Sequence, residues 1–342
     1  MGRRKQRTKA VVMIACASVT LLAAVQFVAL VHHVNALPAI QIDEPGLAAV
    51  PAMLEQQAPQ NERSVEAYTG YGTWVDVYDF MPAPDHPGSP QLTVASVDDM
   101  ARYGVKTLYL QAAQLSEHAP GLLVDRAVLG QILVRAQRHG MRVVGWYLPK
   151  FKDLDRDLAH LQAIADFEVL GHRFDGLAVD IEWTQDVTNH SERSNKLVEL
   201  SRRLRSGIGA EPLGAIVLSP VQLEVINSDK WPSFPWRSLA EVYDVWLPMG
   251  YWTQRTPGSG YRDGRAYTEE NVDRLRKDLG DREAMVHVIG GIGDEVTPRQ
   301  AARFADAVSK TGAVGGSIYD WVTTKRALHE QIAARINSAT TK

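Results

Sequence analysis

The chain has 342 residues, enough for two average domains or for one α/β barrel of about 250, and its 45% hydrophobic and 23% charged content is that of an ordinary globular protein. The net charge of −3 hides an asymmetry: Arg3, Arg4, Lys5, Arg7 and Lys9 precede every acid, and the remaining 32 basic residues face 40 acidic ones, −8 over residues 10–342. That sign on the folded part argues against nucleic acid as a partner.

From Ala10 to Val34 there is no Asp, Glu, Lys or Arg. These 25 residues exceed the roughly 20 that a helix needs to cross a hydrocarbon core. The basic cluster before them predicts a cytoplasmic N-terminus. Residues 1–34 are therefore expected to form a basic tail and a single-pass transmembrane signal-anchor, with the rest of the chain on the extracytoplasmic side of the cell membrane. Val34-Asn35-Ala36 leaves signal cleavage and secretion as the alternative. The only cysteine, Cys16, lies in this segment, so no disulfide staples the exported domain. Residues 35–67 read as a linker interrupted by Pro38, Pro45, Pro51 and Pro59.

From residue 68 to 342, eight β-rich runs each lead into a helical pattern. They are GTWVDVYDF, VKTLYLQAA, MRVVGWYLP, FDGLAVDIEW, GAIVLSP, YDVWLPMGYW, AMVHVIGGIG and GGSIYDW. Ser96 is expected to cap the first helix and Gly140 to end the second, while Thr297-Pro298 gives an N-cap followed by proline at the first helical position. The last helix is expected over about Lys325–Ile336. Eight strand–helix units predict a (β/α)8 barrel. An open doubly wound sheet is the alternative, weakened because no GxGxxG opens a helix after the first strand.

Within FDGLAVDIEW, alternation along a strand sends Leu177, Val179 and Ile181 toward the helices and Ala178, Asp180 and Glu182 into the barrel. Glu182 falls at the C-terminal end of the strand, where barrel enzymes build their sites, with Asp180 about 6–7 Å deeper. Two carboxylates so close cannot both ionise cheaply, so one is expected to hold a proton near neutral pH. Such a pair is equipment for protonating a glycosidic oxygen. A structural pair bonded to backbone or to a base is the competing reading.

Asp175-Gly176-Leu177-Ala178-Val179-Asp180-Ile181-Glu182 resembles the strand-4 pattern DGxDxDxE of glycoside hydrolase family 18, the chitinase family. Met249-Gly250-Tyr251 matches the family's strand-6 Met-x-Tyr, and Gly315-Gly316-Ser317-Ile318 is similar to its strand-8 Gly-Gly-x-Met. The resemblance implies a TIM barrel in which Glu182 is the general acid and Asp180 and Tyr251 orient a substrate N-acetyl group that serves as nucleophile. Three departures accompany it. Ala178 stands where the family has its middle Asp, and Trp252 where it usually has Asp. The platform Trp falls on Asp320, with Trp321 one residue later. An inward Asp320 offers the second enzyme carboxylate of an ordinary two-carboxylate glycosidase.

The other candidates lie at strand ends. Asp76 and Tyr78 share one face of strand 1, with Asp79 on the other; Gln111 and Gln114 end strand 2, and Tyr147 and Lys150 end strand 3. Trp74, Trp146, Trp183, Trp252 and Trp321 are placed for stacking on sugar rings or for packing. Asp294 and Glu295 follow strand 7, where some other barrel glycosidases carry their nucleophile, but Glu295 before Val296-Thr297-Pro298 reads better as a helix-start acid, and His287 as a core histidine. The ten histidines form no metal-ligand spacing, and no GxSxG elbow is present, so neither metal nor cofactor is called for. Two functions remain: an exported, membrane-anchored glycoside hydrolase acting on a polysaccharide, or a non-catalytic, lectin-like barrel. Oligomeric state is not encoded in any of these features.

Overall fold

The computed structural model describes residues 63–82, 88, 91–115 and 121–340. The expected anchor and most of the expected linker lie outside the described residues, among which no helix is long and apolar enough to cross a membrane. Eight parallel strands close into a barrel: β1 (Gly70–Val75), β2 (Thr107–Gln111), β3 (Arg142–Tyr147), β4 (Gly176–Ile181), β5 (Leu213–Leu218), β6 (Val245–Met249), β7 (Met285–Ile292) and β8 (Gly315–Tyr319). β1 pairs with both β2 and β8, which leaves the barrel no edge. Around it run α1 (Ser96–Arg102), α2 (Arg126–Arg138), α3 (Leu154–Ala165), α4 (His190–Ile208), α5 (Trp236–Leu239), α6 (Gly264–Leu279), α7 (Pro298–Lys310) and α8 (Arg326–Thr340).

Local sequence explains where these helices start. Asp125, Asp153, Asn189, Asp263 and Thr297 each accept a backbone N–H of the first turn, satisfying donors that a helix start leaves unpaired. Ser96 differs from expectation: it is the first residue of α1, and its hydroxyl accepts from the backbone N–H of Thr93. The first β-rich run is also shorter than expected. After Val75 the chain turns into a helical turn, Val77–Phe80, because Asp76 and Asp79 form a reciprocal capping box across its start.

The N-terminal end of the barrel is closed by Tyr68, from a 3-10 turn over Val65–Tyr68. Its hydroxyl donates to the carbonyl of Leu177 at 2.7 Å, and a Cβ at Gly214 would lie 2.8 Å from its ring. Arg63 donates to the carbonyls of Phe174 and Ala165 and pairs with Glu211. Residues 63–67, read from sequence as linker, are thus packed on the barrel. Above Tyr68 the interior is filled by Tyr109 and His287, with ring centroids 5.0 Å apart. His287 Nδ1 donates to the carbonyl of Tyr68, and burial pushes its pKa down to about 4, so the ring is neutral. Trp74 stacks on Tyr109 at 4.3 Å and forms the next layer. Trp74 also lines the floor of a cavity above it.

Candidate active site

A cavity of about 460 Å³ opens at the C-terminal end of the strands, in the size range of small-ligand clefts. Alternation along each strand selects its walls: Trp74 from β1, Gln111 from β2, Trp146 from β3, Ile216 from β5, Met249 from β6, Ile289 from β7 and Tyr319 from β8. From β4 and the residue just beyond it come Asp180 and Glu182. The loops add Asp76, Tyr78, Gln114, Lys150, Trp183, Tyr251 and Gln254.

The acid pair sits where alternation placed it. Asp180 is only 8% exposed, and its Oδ1 has no hydrogen-bond partner among the described residues. Burial holds its carboxyl well above the usual range, and the charge of Glu182 adds to the rise. Burial also raises Glu182, while the ammonium of Lys230 opposes that shift. The pair therefore carries a proton near neutral pH. Tyr251 faces both acids, and burial followed by their charges raises its hydroxyl, which keeps it a neutral donor. The first residue of the motif has a different task. Asp175 is 2% exposed and accepts from Val143 N at 2.8 Å, Gln137 Nε2 at 2.9 Å and Arg142 Nη1 at 3.2 Å, fixing the start of β4 against β3.

A second group of acids lies between β1 and β8. One carboxylate oxygen from each of Asp76, Asp79 and Asp320 lies within 4.8 Å of the others. Asp76 lines the cavity, but its oxygens accept from Tyr78 N at 2.8 Å and from the Tyr319 hydroxyl at 3.2 Å. Asp79 accepts from Asp76 N at 3.1 Å, and burial with the charges of Asp76 and Asp320 pushes its pKa up to about 8. Asp320 does not line the cavity. Gly315, Ser317 and Tyr319 take the inward positions of β8; Asp320, past the end of that strand, accepts from Thr323 N at 2.8 Å and Thr323 Oγ1 at 3.0 Å.

Three further candidates also point away from the cavity. Tyr147 follows the inward Trp146 and donates its hydroxyl to Asp157 of α3 at 2.6 Å. Trp252 opens a 3-10 turn just past Tyr251 and packs on Phe304 of α7, centroids 5.2 Å apart. Trp321 lies 4.4 Å from the ring of His329 on α8, with the Arg326 guanidinium 3.9 Å from its own. Gln111, Gln114, Tyr78, Lys150 and Trp183 do line the cavity; Gln111 Oε1 accepts from Val77 N, and Gln114 Nε2 donates to the Tyr78 hydroxyl. Glu295 is exposed and faces Arg262 at 3.9 Å. Gln254 and Lys230 escaped the sequence reading, since a short 3-10 turn and a loop carry neither period nor motif.

No protein-family model and no curated protein matches the chain. Solved structures match its fold. The endo-1,4-β-mannanase of Rhizomucor miehei superposes with a TM-score of 0.58 at 9% identity, covering 80% of this chain and 95% of the mannanase. The group IV chitinase of Ostrinia furnacalis gives 0.56 at 11% identity, covering 80% and 100%. Active domain 2 of a thermostable chitinase from Pyrococcus furiosus, solved with chito-oligosaccharides, gives 0.56 at 12%, covering 79% and 97%. The fold implied by the β4 motif, a TIM barrel, is the fold this chain has, and it is shared with these chitinases and this mannanase.

Proposed function

We propose that the chain is a glycoside hydrolase in which Glu182 is the proton donor and the substrate's own acyl group is the nucleophile. The single observation that carries this reading is the pair of buried Asp180 and half-buried Glu182 facing a cavity, with an unpartnered oxygen on Asp180. Glu182 gives its proton to the glycosidic oxygen as the bond from the anomeric carbon breaks. The carbonyl oxygen of a 2-acylamino group, held by Tyr251 and Asp180, bonds to that carbon from the other side. Water then opens this intermediate with Glu182 as base, which restores the acid.

The route through Asp320 as a second carboxylate loses its support, because that side chain does not line the cavity and is engaged by Thr323. The chitinase and mannanase neighbours favour a polysaccharide substrate. Reducing-end release from a glycan panel tests the proposal, with Glu182→Gln beside the parent. Turnover of 2-acylamino glycans is expected to fall by about 10²-fold or more in the variant, with binding retained. A variant as fast as the parent overturns it. A thiazoline-type mimic of the acyl intermediate is expected to inhibit the parent.

We also propose that residues 1–34 hold the barrel outside the cell membrane, on the strength of the uncharged run behind five basic residues. Protease added to intact cells is expected to digest the barrel. An intact barrel in the soluble cytoplasm would reject this placement.

A further inference from the structure

Two lysines lie near the acid pair without forming a salt bridge to a described residue. Lys150 lines the cavity beside Trp183, its ammonium 5.0 Å from the ring centroid. Lys230, in the β5–β6 connection, is close enough for its charge to act on Glu182. Neither ammonium makes a hydrogen bond or ion pair with another described residue. Most surface lysines are flexible, but these two are held by one buried network. Asp157, 1% exposed, accepts from the backbone N–H of Lys150 at 3.3 Å and of Phe151 at 2.8 Å. It thereby holds Phe151 at φ +60°, a left-handed conformation rare for an aromatic residue. The Phe151 ring then packs edge-on against Trp231 at 6.1 Å. The opposite end of the network is Arg193, 4.2 Å from the Trp231 ring and donating to the carbonyl of Lys230 at 3.0 Å. The brace therefore ties the backbones at both lysines into one buried network.

We infer that this pair of lysines forms a cationic rim that recognises glycans carrying an anionic substituent on a sugar next to the one cleaved. The inference rests on the glycoside hydrolase reading and names its substrate class. The physical reason is charge balance. The cavity floor bears Asp76 and the Asp180–Glu182 pair, so an acidic sugar is repelled unless positive charge meets its substituent at the rim. Neutral hydroxyls need no such charge, and amides such as Gln114 and Gln254 already serve them there. Half-buried Trp183, its indole N–H anchored on Asp186 at 2.9 Å, fixes one wall against which the ring of that sugar lies. A lysine ammonium is a point charge, so carboxylate and sulfate both satisfy it.

The test uses the full chain carrying Glu182→Gln, so that binding is measured without turnover. Affinities are compared for three tetrasaccharides: chitotetraose, an alternating uronate–acetamido tetrasaccharide, and a sulfated one. The anionic-over-neutral affinity ratio is expected to fall about tenfold when Lys150→Gln is added, and further with Lys230→Gln. The arm in which it falls identifies carboxylate or sulfate. Raising salt on the protein with both lysines intact is expected to weaken the anionic ligand and spare the neutral one, which reads the rim even where a lysine variant misfolds. Glycans that bind with a ratio unmoved by both lysines and by salt would overturn the rim alone. If no glycan of any charge binds, the hydrolase reading fails and takes the rim with it.

Discussion

The barrel mouth holds two groups of acids that composition alone makes equivalent, Asp180–Glu182 on β4 and Asp76–Asp79–Asp320 between β1 and β8. Both are largely buried, and burial raises the carboxyls of Asp180, Glu182, Asp79 and Asp320. They differ in what their oxygens do. In the β1–β8 group, donors from Tyr78, Tyr319, Asp76 and Thr323 occupy the carboxylates and tie two loops and a strand end together. On β4, Asp180 Oδ1 is left without a partner among the described residues, and the cavity lies in front of it. An unmet hydrogen-bonding capacity costs free energy in the folded state, so it persists where a ligand completes it. A perturbed pKa marks both places; the unpartnered oxygen of Asp180 facing the cavity is what distinguishes the β4 pair.

The largest expected effect that sharpens this contrast is Asp180→Asn. Turnover is expected to fall by about 10²-fold with the fold intact, and the upper limb of the residual pH–rate profile is expected to move to lower pH. The direction follows from charge: with Asp180 neutral at every pH, Glu182 no longer loses its proton against a neighbouring carboxylate. An upper limb that stays in place would mean that the two acids do not titrate together.

The next effect belongs to stability. With its pKa pushed up to about 8, Asp79 keeps in the folded state a proton that the unfolded chain releases near the ordinary carboxylate value of about 3.9. Stability is therefore expected to fall as pH rises from about 4 to about 8 and to level off above, by at most about 1.4 kcal/mol per pH unit from this group. Asp79→Asn removes a titrating proton without removing the oxygen that accepts from Asp76, so its Tm–pH slope is expected to be flatter than the parent's. Equal slopes would deny Asp79 its raised pKa.

The smallest effect is expected at Asp320. Asp320→Asn keeps an oxygen for Thr323 and is expected to leave turnover within about twofold, whereas Asp320→Ala unpairs Thr323 N and costs about 1–2 kcal/mol in denaturant unfolding. Abolished turnover in Asp320→Asn would reverse the roles of the two acid groups.

Period and parity were legible before any coordinates. Eight β-rich runs separated by capped helices specify the barrel, because each run has the length and residue types of a strand and each gap the start signals of a helix. Parity within β4 placed Asp180 and Glu182 inward, since alternation is a local property of extended backbone. Where a strand ends, that rule stops. Asp76 and Tyr78 line the cavity from a helical turn, Trp252 turns out to α7 from a 3-10 turn, and Asp320 falls on the far side of Tyr319. Only the tertiary structure decided those orientations, and only it joined the backbones at Lys150 and Lys230 through one buried network. The bracing residues Asp157, Phe151, Trp231 and Arg193 are separated by up to 80 positions, and no pattern along the chain records that they meet. What the sequence by itself determined is what local backbone geometry repeats; what it left to the fold is every contact between loops, because a loop's direction is fixed by its partners in space and not by its own period.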